Sequence, residues 1–325
     1  MTYSTRIDRR KWQRHNWRNR VQSVLLLAIM GGFLALLGGV LWGRSGLVML
    51  LAAGVGGALF MPALSPALVI RLSGARAITP AQAPGLHRWV AVLAERAGLP
   101  APPRLYYLPS MAINAFTVGT RGDAALVVTA GLVNTLDGRE IVGVLAHEIS
   151  HVAHNDLWVM GLADLFSRMT AFLSWLGQLL VLVNLPLLLL GAVAINGFAI
   201  LLLVFAPLSS TLAQLALSRT REFDADLDAA RLTGDPDALA SALARMEWRQ
   251  GGWTRVLWPG RRGGLWSLLR THPETRERIA RLQALKAVGM SADHPPPAVP
   301  DPWEPIVPPR LAGWPPRWWW SRPWH

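Results

Sequence analysis

Hydrophobic residues fall in blocks along this chain rather than evenly. Three windows carry no charged residue: residues 21–43, 45–70 and 169–218. A helix needs about 20 apolar residues to cross the hydrocarbon core of a bilayer. The first two windows each predict one span, and the third is long enough for two. Only Gly43-Arg44-Ser45-Gly46 separates the first pair, so residues 21–70 read as a membrane hairpin. Within the third window, both Asn184-Leu185-Pro186 and Asn196-Gly197 are compatible with the bend of a second hairpin.

Between these blocks the periodicity changes. Residues 80–99 read as an amphipathic helix ending near Gly98-Leu99-Pro100, and residues 104–108 and 124–129 are β-rich runs with a third strand over 113–119 between them. Asp137 followed by Glu140 forms a capping-box pattern that opens a helix running to about His154. Further helices are predicted over 220–232, 236–249 and 273–287. The order is therefore an N-terminal arm (1–20), a membrane hairpin (21–70), a first soluble block (71–168), a second hairpin (169–218), a second soluble block (219–290) and a tail (291–325). The tail holds 11 of the 24 prolines and 6 of the 16 tryptophans, a composition foreign to regular helix or sheet interior.

Composition narrows the chemistry. The chain has 325 residues and no cysteine, which removes disulfide scaffolds, cysteine nucleophiles and thiolate metal sites together. The net charge of +12 invites a nucleic-acid reading, but seven of the basic residues sit in the arm against Asp8 alone, beside the first span. Positive charge there marks the cytoplasmic side and favours anionic headgroups, so a lipid bilayer is the expected partner and nucleic acid is not. Trp248, Trp253, Trp258 and Trp266, interleaved with arginines, read the same way, as an interfacial belt.

His147-Glu148-Ile149-Ser150-His151 is an H-E-x-x-H motif within the capped helix. Four residues of α-helix bring the second imidazole to within about 40° of the first, so both can reach one metal ion. Glu148, next in sequence, is placed to reach a water on that metal rather than the ion itself. Such a site needs a third protein ligand and an open position. Glu222 in Ser218-Arg219-Thr220-Arg221-Glu222-Phe223-Asp224-Ala225-Asp226 is the best candidate, with Asp226 one turn further on the same face. A solvated acidic helix face is the competing reading, since Asp224 and Asp228 lie there too and are expected to point elsewhere. His154 has the wrong spacing for a third ligand of the metzincin kind and reads as a capping or surface residue.

With those residues in view, the chain resembles the HtpX-like family of integral-membrane zinc metallopeptidases, relatives of the CAAX prenyl-protein endopeptidases. The resemblance is carried by Asn114-Ala115-Phe116, Val128-Thr129-Ala130-Gly131-Leu132, Val144-Leu145-Ala146 with the motif that follows, the Ser218–Asp226 segment and Thr271-His272-Pro273, in the family's order. It covers about residues 20–290 and leaves out the arm and the tail. It implies an α+β fold: a mainly helical zincin-type protease domain with a small mixed sheet, joined to about four transmembrane helices.

It further implies one Zn2+ per chain on His147, His151 and Glu222, Glu148 as catalytic base, and Asp226 supporting a ligand histidine, foremost His147. His272 becomes a candidate donor to the oxyanion, although His-Pro could equally cap the next helix. Asn114, Ala115 and Phe116 are either a buried strand or an edge that pairs with extended substrate. The expected partners are protein or peptide substrates and the bilayer of a cell inner membrane, with both termini and the catalytic block cytoplasmic. A prenyl-protein-type endopeptidase and a non-catalytic scaffold with a retained metal site are the rival readings. Oligomeric state has no signature in the sequence.

Overall fold

A computed structural model describes residues 9–60, 66–192, 196–257 and 275–287. Helix α1 (Arg9–Phe60) and the short α2 (Pro66–Ser73) precede a four-stranded sheet, β1 (Arg76–Ala77), β2 (Arg104–Leu108), β3 (Ala115–Thr120) and β4 (Asp123–Thr129), with α3 (Pro84–Arg96) between its first two strands. The helices α4 (Ala130–Thr135), α5 (Gly138–Ala153), α6 (Asp156–Val183), α7 (Leu185–Leu189), α8 (Gly197–Thr233), α9 (Pro236–Leu257) and α10 (Thr275–Ala287) follow.

The sheet is mixed. Its order is β1-β2-β4-β3, with β2 and β4 parallel and the outer pairs antiparallel. β4 lies inside because its run of apolar residues suits a strand covered on both faces. Alternation divides it: Leu126 and Val128 join the main core with Leu93 of α3 and Leu145 and Ile149 of α5, while Ala125 and Val127 meet Ile70 of α2. Leu239 of α9 and Leu282 of α10 close the same main core.

Among the described residues, three helices are long and apolar enough to cross a membrane: the stretch Val21–Gly54 of α1, α6 and α8. The expected count of four is not confirmed by whole helices, because the first of the three holds two arms joined across a kink. α1 is interrupted at Trp42 and Gly43, where Gly43 has φ +65° and ψ −148°. A Cβ on Gly38 would lie 2.6 Å from the carbonyl oxygen of Gly46, residues that are about 12 Å apart in an unbroken helix. The chain thus doubles back through a glycine contact, and the window 45–70 is shared between the second arm of α1 and α2.

The second hairpin uses both predicted turn signals. Asn184 ends α6, α7 intervenes, and the Asn196 side chain caps α8 by accepting from the Phe198 amide at 2.9 Å. Pro207 inside α8 lacks the N–H that would satisfy the Leu203 carbonyl four residues back. Ser174 Oγ and Gln178 Nε2 of α6 donate to that oxygen instead, the latter at 2.9 Å, which pins the two helices together. The separate helix expected over 220–232 does not exist as such. Nothing between Ser218 and Thr233 breaks a helix, so α8 runs on from the apolar segment until Gly234 ends it at φ +70°.

Candidate metal centre

α5 is set by its first turn. Asp137 and Glu140 form both halves of the capping box, and the buried Glu140 also accepts from Ser241 Oγ at 2.5 Å and pairs with Arg245 at 3.0 Å, tying α5 to α9. Downstream, His147 and His151 project from one face with their rings edge to face, centroids 4.7 Å apart. Their Nε2 atoms are 3.1 Å apart, and Glu222 Oε2 from α8 lies 3.4 Å from His147 Nε2. One ligand atom from each of the three residues lies within 4.8 Å of the others. Ligands of a tetrahedral zinc ion at about 2.0–2.1 Å are separated by about 3.3 Å, so this donor set fits that ion in chemistry, and the two separations at His147 Nε2 fit it in spacing.

The remaining ring nitrogens are taken. His147 Nδ1 lies 3.0 Å from Asp226 Oδ1, and His151 Nδ1 lies 2.8 Å from Asp156 Oδ2. Each carboxylate, accepting an Nδ1–H, selects the tautomer whose Nε2 lone pair faces the shared centre. Burial opposes a charge on His147, but its hydrogen bonds to Asp226 and Glu222 outweigh burial and raise the imidazole to about 10. Arg278 of α10 grips Asp226 with a two-pronged fork, Nε to Oδ2 at 2.7 Å and Nη2 to Oδ1 at 2.6 Å, and reaches Glu222 Oε2 at 3.0 Å.

Glu148 is half-buried beside the pair of histidines. Desolvation pushes its carboxyl up from the ordinary value, against the pull of His151 and His147. Thr117 Oγ1 donates to Glu148 Oε2 at 3.4 Å, which brings β3, the terminal strand of the sheet, up to the site. The segment Asn114-Ala115-Phe116 divides there. Asn114 is held through its backbone N–H, which donates to Thr129 Oγ1 at 3.0 Å; Ala115 joins the main core; Phe116 packs on the other face of the sheet with Ile70.

His154 is the C-cap of α5, and its Nε2 is 3.2 Å from Asp228 Oδ2, away from the three-residue cluster. Asp224 and Asp228 are buried, which removes the competing reading of a solvated acidic face. Asp228 also accepts from Arg231 Nε at 3.1 Å. His272, much of the Trp/Arg-rich stretch and the whole Pro/Trp-rich tail lie outside the described residues. Three residues that surround the ligands were not singled out by sequence: Asp156, Arg221 and Arg278. Asp156 stands five residues beyond His151 at the start of an apolar helix, a weak signal, and Arg278 has none within the motifs.

Comparison with known proteins gives a consistent answer. Residues 80–286 match the model of peptidase family M48. A protein named protease HtpX homolog from Ralstonia pickettii (strain 12J) is 35% identical over 295 residues, covering 84% of this chain and 98% of the relative. Proteins of the same name from Ralstonia nicotianae and Burkholderia mallei are likewise 35% identical, with the same coverage.

Proposed function

The chain belongs to peptidase family M48, and on that premise we propose that it is a membrane-bound zinc-dependent endopeptidase acting on membrane or misfolded proteins. The observation that carries this reading is the set of His147, His151 and Glu222 donors spaced as around a tetrahedral ion, with Glu148 alongside. His147, His151 and Glu222 would hold one zinc ion per chain. Bound there, zinc supplies a Lewis acid that polarises a peptide carbonyl and acidifies water.

The chain's own groups complete the reaction. Thr117 engages Oε2 of Glu148, leaving Oε1 to take a proton from the attacking water and hand it to the departing amine nitrogen. A carboxyl raised by desolvation suits a group that must hold a proton for part of each cycle. Asp226 orients His147, and Arg278 holds Asp226 in turn. β3, terminal in the sheet among the described residues, would offer its outer backbone N–H and C=O groups to an extended substrate, a pairing that tolerates many sequences.

The two arms of α1 together with α6 and α8 would make four crossings of a cell inner membrane. The basic arm places both termini and the two soluble blocks in the cytoplasm. Purified full-length protein in detergent should contain one zinc per chain and cleave casein, and Glu148→Gln should keep the metal while losing the cleavage. A wild-type protein free of zinc, or a Glu148→Gln variant as active as wild type, would remove the reading.

A further inference from the structure

We infer that Asp156, the first residue of a membrane-type helix, is a positioning residue for the metal ligand His151 and is itself held by Arg221. The inference rests on the zinc reading above and extends it to residues outside the ligand set.

His151 has one nitrogen directed at His147 and the other at 2.8 Å from Asp156 Oδ2. Asp156 is buried, and a buried carboxylate needs compensating charge or hydrogen bonds to remain in place. It has three sources of compensation. His151 meets Oδ2, Arg221 Nη1 lies 3.3 Å from Oδ1, and the N-terminal turn of α6 presents its dipole to the anion. The connection to His151 is short and stiff. His154 ends α5, Asn155 adopts φ +54°, a left-handed conformation that asparagine tolerates better than most residues, and Asp156 opens α6. Hydrogen bonds from the Asn155 amide to Val152 O and from the Trp158 amide to Asn155 O close the corner on both sides.

Arg221 adds a second tie. It precedes Glu222 on α8, so Arg221–Asp156–His151 places an arginine, an aspartate and a histidine as Arg278–Asp226–His147 does, with the difference that Arg278 grips its aspartate through two hydrogen bonds and Arg221 makes only an ion pair, Oδ1 of Asp156 having no hydrogen-bond partner among the described residues. A role confined to capping α6 would not need the carboxylate at hydrogen-bonding distance from a ligand imidazole. Removing such a partner typically weakens metal binding by about 10–100-fold.

The test uses full-length protein in detergent, with Zn2+ affinity measured against a chromophoric chelator, the absorption spectrum after Co2+ substitution, and thermal unfolding of the metal-free form. Asp156→Asn keeps the shape and removes the charge. It should weaken zinc binding by about 10–100-fold and alter the cobalt spectrum while leaving metal-free unfolding near wild type. Arg221→Gln, which removes the ion pair to Asp156 and no metal donor, should shift affinity in the same direction by less, and Asp164→Asn, an acid further along α6 that pairs with Arg168, should do nothing. Should Asp156→Asn not fold, Arg221→Gln decides alone. Affinity within twofold of wild type with an unchanged cobalt spectrum overturns the inference and leaves the zinc reading intact. A wild-type protein that binds no zinc overturns both.

Discussion

Asp226 Oδ1 lies 3.0 Å from His147 Nδ1, and the same carboxylate is clasped by both prongs of Arg278. The His147 imidazole on α5 is thereby oriented from α8, which is itself held from α10. The three helices come together at one histidine, so the candidate metal site is a tertiary object rather than a property of the motif.

Asp226→Asn should weaken zinc binding by about 10–100-fold without abolishing it. Glu222→Ala, which removes a donor, should release the metal. Chelator competition on the purified variants separates a graded loss from a complete one. Full zinc retention in Glu222→Ala would transfer the third-ligand role elsewhere.

Glu148→Gln should leave zinc content near wild type and lower the rate of casein cleavage by about 10²–10⁴-fold, the usual worth of a positioned general base. Metal analysis and a cleavage assay on the same preparation check both halves. Loss of zinc in this variant would make Glu148 a ligand instead.

Asp228→Ala should destabilise the protein by about 1–3 kcal/mol, because it removes a buried carboxylate that His154, Arg231 and Ser150 contact. Zinc affinity should change little, since Asp228 is not one of the clustered donors His147, His151 and Glu222. Denaturant unfolding of the metal-free protein reads the first effect and chelator competition the second.

Gly46→Ala should destabilise the first hairpin by about 1–3 kcal/mol, because the added Cβ would be driven into the Gly38 carbonyl. Gly39→Ala serves as a control, since its Cβ would meet only Leu47 at 3.8 Å, an ordinary contact. Thermal unfolding of the two variants in the same detergent should differ clearly. Equal behaviour would mean that the two arms of α1 do not pack through these glycines.

The absence of cysteine makes the orientation easy to probe. Single cysteines at Ser45 and Ser110 should respond oppositely to an impermeant thiol reagent applied from outside the inner membrane, with labelling only at Ser45. Labelling at Ser110 would invert the topology.

What could be read from sequence was encoded locally. The capping box Asp137/Glu140, the strands around Leu105 and Leu126, and the shared face of His147 and His151 each depend on residues a few positions apart. Glu222 and Asp226 were legible because one helical turn relates them. Asp156 was not, because its reach to His151 depends on the left-handed turn at Asn155. Arg278 was not, because only the docking of α10 brings it to Asp226. The burial of Asp224 and Asp228 escaped for the same reason: α8 is enclosed by α5, α9 and α10, and no pattern of acidic residues announces that. The glycine contact in α1 shows what the two apolar windows left open: the turn between the two expected spans is only two residues wide, and its arms meet at Gly38 and Gly46.

The continuity of α8 makes it a lever. Glu222 stands 15 residues beyond Pro207, about 22 Å along the axis at 1.5 Å per residue. A tilt of only 5° about Pro207 displaces that carboxylate by about 2 Å, comparable to the full length of a zinc–oxygen bond. Apolar helices adjust to bilayers of different thickness by tilting. On the zinc reading, lipid chain length would therefore enter the coordination chemistry of this protein as a variable, and zinc affinity would depend on the surrounding bilayer or detergent as well as on the polypeptide.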